Sequence, residues 1–289
     1  MDKYIDIIKN SYSGYWNYLK NEILFQNNWD NYFYGLIIIS LVVWLLEILF
    51  PWRKNQSVFR KDFWLDTFYM FFNFFLLNLI VLIALSNTAA AFFNAVLKSI
   101  GLPFSSLQLF DSNDLPKWLG LLIFSVYWNT HRLLHRVPFL WNFHKVHHSV
   151  KEMGFAAHLR YHWMEPVVYK SLLYIPMALI ANYSAQDVAF VYFFSIIIGH
   201  LNHANLGWDY SILKYIFNNP KMHIWHHAKE LPENVRFGVN YGLTLSIWDY
   251  IFKTNYVPYS GRDIELGFEN DEQFPKDFMN QELYPLNKK

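Results

Sequence analysis

The sequence contains no cysteine. That excludes disulfides and thiolate-held metal centres, and leaves imidazole as the plentiful borderline ligand for any transition metal. Charge is scarce too: Asp, Glu, Lys and Arg make up 16% of the 289 residues, against roughly 25% in soluble domains. The formal net charge is +1, so no basic excess is available to neutralise phosphates and nucleic acid is not an expected partner. Neither a GxGxxG nor a P-loop stretch is present, so electrons for any redox chemistry are expected from a separate protein. The opening "MDKYIDIIKNSYSGYWNYLK" has no continuous apolar run of the leader type and is expected to lie along a membrane interface.

What the chain has instead is apolar surface: 54% hydrophobic and 20% aromatic residues. About 20 mostly apolar residues, rising ~1.5 Å each, cross a ~30 Å hydrocarbon core. Residues 32–50, "YFYGLIIISLVVWLLEILF", meet that requirement. Trp64 to Ser86 is a second candidate, followed by a softer piece, "AAAFFNAVLKSIGLPF", expected to be interfacial or re-entrant. A third runs from Leu115 to His135 and opens at Pro116, proline being favoured at a first helical position. Residues 166–182 and 187–203 form a hairpin that turns around Ser184 and Gln186. Core helices of a soluble all-α protein would show a polar face that these runs lack. The pattern predicts an all-α integral membrane protein with four to five transmembrane helices.

Tracing these spans puts every histidine cluster at one side of the bilayer. Arg53, Lys54, Arg60, Lys61, Arg132, Arg136, Lys145, Lys151 and Arg160 fall on that side, whereas the hairpin turn opposite carries no basic residue. The positive-inside rule makes the histidine face cytoplasmic. From Leu206 the chain turns mixed and Gly/Pro-containing, as expected of a cytosolic cap on the membrane helices. The expected organisation is an interfacial segment (1–31), N-terminal transmembrane helices (32–115), a membrane and cytosolic metal-binding region (116–258) and a loose polar tail (259–289).

Residues three and four apart on a helix share a face. "HKVHH" thus groups His144, His147 and His148, and "HIWHH" groups His223, His226 and His227. His131 and His135 form an i,i+4 pair, His200 and His203 an i,i+3 pair. A lone histidine at a membrane end is usually a packing residue. Four clusters on one side are not, because that many clustered imidazoles pack poorly and repel when protonated. One tetrahedral zinc takes four ligands or fewer, so ten imidazoles suit two ions. Zinc, copper, iron and nickel all accept imidazole, and ligand type does not choose among them. Glu165 and Asp249 are the nearest acids able to orient a ligating ring, and Asp249 reads more readily as a tether. Asn240 would bond a metal-bound water or make an ordinary turn.

The stretch "YWNTHRLLHRVPFLWNFHKVHHS" resembles the opening signature of the membrane fatty acid hydroxylase and sterol desaturase superfamily, an HxxxH followed by HxxHHS. "RYHWMEP" is similar to its RxHPxE segment with Trp163 in place of proline, and "NHANL" to its HAN element. "NPKMHIWHH" and "NYGLTLSIWDYIFKT" are similar to its closing run, with Lys253 in place of glycine. Those two departures bear on turn geometry and the substrate entrance, and lie outside the ligand set.

The resemblance implies an integral, multi-pass oxygenase with two iron ions, zinc being an alternative occupant after purification. Such an enzyme hydroxylates or desaturates a fatty acyl chain or sterol, using O2 and electrons from a cytochrome b5-like protein, ferredoxin or reductase. The implied ligands are His131, His135, His144, His147, His148, His203, His223, His226 and His227. His200 joins them by its pairing with His203. His158 and His162, in "HLRYH", are similar to a desaturase segment, and with Glu165 and Asn240 are candidates for the surroundings of the metals or the substrate channel. The competing classes are a metal transporter, which needs ligands near the bilayer midplane, and a bis-histidine haem carrier, which needs single histidines inside facing helices.

Overall fold

The computed structural model describes all residues except 1, 26–30, 103–107, 126–127, 175–176, 178–179, 184, 236 and 287–289. Helix α1 (Asp2–Leu24) is followed by α2 (Tyr32–Leu49), whose first turn is capped by Asn31, its side chain accepting from the Tyr34 amide at 3.0 Å. The helix stops before Pro51, because a residue preceding proline is disfavoured in helical backbone.

Next comes a single 37-residue helix, α3 (Phe63–Ser99). It contains two π-helical stretches, Phe72–Leu76 and Asn78–Leu82. Both the second expected span and most of the softer piece after it belong to this one helix, which at ~1.5 Å per residue is roughly 55 Å long. α1 lies along its distal half, where Tyr12 Oη donates to Ile80 O at 2.8 Å and Asn87 Nδ2 to Ser11 Oγ at 2.9 Å. Among the described residues, α2 and α3 are the two helices long and apolar enough to cross a membrane.

The histidine-bearing half follows: α4 (Lys117–Phe124), α5 (Trp128–Arg136), α6 (Pro138–His148), α7 (Met164–Tyr169, running into a π turn at Lys170–Tyr174) and α8 (Ala185–His203). The expected hairpin turn at Ser184 lies outside the described residues. Three short helices complete the chain: α9 (Pro220–His226), α10 (Ile247–Ile251) and α11 (Phe278–Leu283). No strand occurs among the described residues, only isolated antiparallel bridges such as Phe217 to Leu245.

Two apolar cores flank the histidines. One joins Leu36 and Val43 of α2, Phe63, Met70 and Phe74 of α3, and Ile196 of α8. The other packs Val150 and Met153 against Ile224, Trp225, Val239 and Leu266. The C-terminal stretch is not loose. Phe278 packs edge-on against Phe68 and Phe72 of α3, and Gln281, fully buried, accepts from Tyr69 Oη at 3.0 Å.

Candidate metal centre

Two helices bear most of the donors, and each begins with proline at its first turn. Asn219 caps α9, its side chain accepting from the Met222 amide at 3.0 Å, and Pro220 follows, an arrangement that fixes the helix start where orphan N–H groups need an acceptor. Neither histidine triplet forms a site of its own. α6 sends His144 to one group and His147 to another; α9 sends His226 to the first, and His223 together with the following His227 to the second.

The first group is His131, His135, His144 and His226; the second is His147, His203, His223 and His227; and His148 lies between them with His226 and His227. Within each group the ligand nitrogens lie within 4.8 Å of one another. None of these nine residues is more than 9% exposed. Burial, reinforced by the neighbouring rings, holds the imidazoles of His144, His148, His223, His226 and His227 well below their usual pKa, and burial lowers His147 to about 3. They are therefore neutral at pH 7 and can offer a lone pair.

The tautomers show which nitrogen is offered. Nδ1 of His131 donates to Tyr241 O at 2.7 Å, that of His226 to Val239 O at 2.8 Å, that of His147 to Arg160 O at 3.1 Å and that of His203 to Gly199 O at 2.7 Å. A carbonyl only accepts, so each of these neutral rings leaves Nε2 bare. The Nε2 atoms of His147 and His203 nevertheless face each other at 3.2 Å. Two lone pairs at that distance repel unless a cation lies between or beside them. His135 Nε2, His148 Nε2, His226 Nε2 and His227 Nδ1 are buried with no hydrogen-bond partner, which is a costly state for polar atoms. On both counts the donor set fits bound transition-metal ions.

The surrounding residues fix these rings, as outer-shell partners of metal ligands do. Glu165 Oε2 accepts from His144 Nδ1 at 3.1 Å. Asp249 binds Trp128 Nε1, the Tyr241 and Gly242 amides and Thr254 Oγ1, and so sets the peptide whose carbonyl holds His131. Burial raises the Asp249 carboxyl, and those four donors oppose the rise. The Arg160 carbonyl that holds His147 belongs to a buried ionic cluster. Asp66 of α3 accepts from Arg160 Nη1 at 2.9 Å and Arg60 Nη2 at 2.6 Å, while Arg160 Nη2 donates to Ser149 Oγ at 2.9 Å.

The remaining candidates lie apart from the two groups. His200 points towards α2, its Nε2 3.1 Å from Ser40 Oγ and its Nδ1 2.9 Å from His158 Nδ1. His158 also rests on the His203 ring, with centroids 5.2 Å apart. A β-carbon at Gly199 would fall 2.1 Å from His158 Nε2, so only glycine admits this approach. His162 donates through Nε2 to Glu282 O at 2.7 Å. Asn240 is a strut, donating to Met222 O and Tyr256 O and accepting from the Tyr256 amide.

Both departures from the superfamily pattern have a local cause. Lys253 has φ 55°, a left-handed conformation that glycine adopts more easily. The Trp163 amide donates to Glu282 Oε2 at 3.0 Å, a bond proline could not make.

Helical fold and buried polyhistidine site together define a metal-binding protein with apolar, membrane-length helices. Residues 118–254 match the fatty acid hydroxylase family, in line with the superfamily that the histidine signatures of this chain resemble. It is 33% identical over 175 residues to an ornithine lipid hydroxylase of Rhizobium tropici, covering 59% of this chain and 50% of that one. It is 32% identical to the alkylglycerol monooxygenase of Xenopus tropicalis over 49% of this chain and 30% of that one. The Homo sapiens alkylglycerol monooxygenase is 27% identical over 77% of this chain and 46% of its own length. The chain thus spans half or less of these relatives. No solved structure matches it.

Proposed function

We propose that this protein is a membrane monooxygenase that hydroxylates a lipid, with two iron ions held by His131, His135, His144, His147, His148, His203, His223, His226 and His227. The observation that carries this reading is the pair of four-histidine groups sharing a wall at His148. A bound iron pair would supply the redox chemistry that activates dioxygen. The balanced reaction consumes a C–H bond, O2, two electrons and two protons, and yields an alcohol and water. The relatives named for lipid hydroxylation and mono-oxygenation support hydroxylation over desaturation.

The chain's own residues would orient and seal. Backbone carbonyls keep Nδ1 protonated and Nε2 turned inward. Glu165 holds the proton on His144 Nδ1, and the apolar cores on both flanks exclude water, which strengthens every electrostatic interaction inside. An apolar substrate would arrive laterally between the helices, since the donors lie on α5 and at the C-terminal end of the apolar helix α8.

The same reading includes four to five spans with the histidine face cytoplasmic. Exposed Lys54, Lys61 and Arg136 at that end support the orientation; Arg60 and Arg160 are interior ions and weigh less. The reducing partner would be a separate cytochrome b5-like protein, ferredoxin or reductase.

Lipids from cells expressing the protein under heavy-oxygen dioxygen test the activity. A lipid class carrying one heavy oxygen atom should appear, and His147→Ala should abolish it. Persistence of that product in the variant would refute the assignment.

A further inference from the structure

Two segments that supply none of the clustered histidines run back beside the apolar helices. After α8 ends, the chain forms a 3₁₀ turn at Ser211–Tyr215. The Phe217 ring then packs 6.3 Å from Phe194 of α8, two and a half turns before His203 and so roughly 13 Å down the helix axis. Similarly, Trp248 Nε1 donates to Ser125 Oγ at 2.9 Å, and Phe252 stacks on Trp128 of α5 at 4.8 Å. The two segments are joined. The Ser246 amide donates to Ile216 O at 2.9 Å, and the Tyr215 and Tyr250 rings lie 4.9 Å apart.

Their outward side chains are apolar. Ile212 is 76% exposed, Ile251 57% and Phe252 51%, with Leu213 and Ile216 beside them. An exposed aliphatic patch of this kind is unusual in water, and here it continues the surface of the apolar helices. Directly against it opens a cavity of about 490 Å³ lined by Asp209, Lys214, Tyr215, Lys221, Tyr250 and Tyr259. Asn219 and Met222, on the first turn of the metal helix α9, also line it. Tyrosine and lysine are the side chains that collect where hydrocarbon gives way to headgroups, each with an apolar body and a polar tip. Lys221 lies 3.6 Å from Asp209, and the two lysines leave the cavity with one positive charge in excess of that carboxylate.

We propose that this lobe is a lipid-headgroup site. The Ile212, Leu213, Ile216, Ile251 and Phe252 shelf sits in the bilayer interface, and the cavity beside it takes a phosphate-bearing headgroup between Lys214 and Lys221. The acyl chains then lie along the shelf, on the membrane side of the histidine groups. The inference rests on the membrane placement proposed above and is independent of the oxidation chemistry.

The absence of cysteine gives a clean test of the shelf. Ile212→Cys supplies a single thiol, which is labelled with bimane in the full-length protein reconstituted in nanodiscs. Quenching by shallow nitroxide lipids and protection from aqueous iodide are expected; efficient iodide quenching would overturn the proposal. Retention in membranes after alkaline carbonate washing checks the membrane reading separately.

The cavity is tested by calorimetry on the detergent-purified protein with dioctanoyl phosphatidic acid, dioctanoylglycerol and inorganic phosphate. The wild type should bind phosphatidic acid at least tenfold more tightly than either of the others. Lys214→Ala/Lys221→Ala should lose about tenfold in that affinity with its metal content unchanged, and Lys214→Arg/Lys221→Arg should retain it. Equal binding of inorganic phosphate, or an unchanged affinity in the alanine pair, would contradict a lipid-headgroup site.

Discussion

Glu165 meets His144 Nδ1 at 3.1 Å, and replacing it by glutamine keeps the shape while exchanging the carboxyl that holds the ring for an amide. Metal affinity in Glu165→Gln should fall about 10–100-fold, the usual cost of losing such a partner. Competition with a chromogenic chelator reads this directly, and an unchanged affinity would mean that Glu165 plays no orienting part. His200→Ala makes the opposite prediction: metal content should stay at the wild-type value, because both its ring nitrogens face Ser40 and His158. The i,i+3 spacing with His203 suggested a shared ligand role. Which way each ring points is set by what packs on either side of α8, and spacing along one helix does not encode that. Of the nine histidines in the two groups and between them, eight were legible because their clusters recur at helical spacing, and His203 through the HAN element. Their acceptors were not, since Tyr241, Val239, Arg160 and Gly199 contribute backbone carbonyls that carry no residue identity.

At the scale of elements, α3 reaches the metal region through Asp66. It lies between two buried arginines, one of which carries the carbonyl that binds His147. Asp66→Asn should destabilise the protein by about 3–5 kcal/mol, because buried Arg60 loses its carboxylate partner and buried Arg160 falls back on the partly exposed Asp62. A clear drop in the thermal midpoint, together with weaker metal retention, is the expected result; a midpoint equal to that of the wild type would show the cluster to be dispensable. Nothing in the sequence paired Asp66 with Arg160, which are far apart along the chain. The apolar run of α2 was legible because hydrophobicity alone specifies it. The polar C-terminal stretch read as a tail because its burial depends on a few long-range contacts, Gln281 to Tyr69 and Glu282 to Trp163 and His162, rather than on composition.

For the whole molecule, the collected imidazoles impose a pH dependence. In the folded chain His144, His147, His148, His223, His226 and His227 titrate below the usual histidine value. Unfolding therefore takes up protons once the pH falls below about 6.5. The stability of the metal-free protein is fully present above that pH and declines as the pH drops further. Metal retention should fall in the same direction, because ligands must be deprotonated to bind. Thermal unfolding of the metal-stripped protein at about pH 7.5 and about pH 5.5 should show the lower midpoint at the acidic value; the reverse order would contradict the neutral, buried state of these rings.

The proposed oxygenase activity depends on the two histidine groups acting as one dinuclear site. Elemental analysis of the detergent-purified protein after iron reconstitution tests that claim most directly. Two iron ions per chain are predicted, with His147→Ala and His226→Ala each lowering the content; one ion per chain, or none, in the wild type would contradict it.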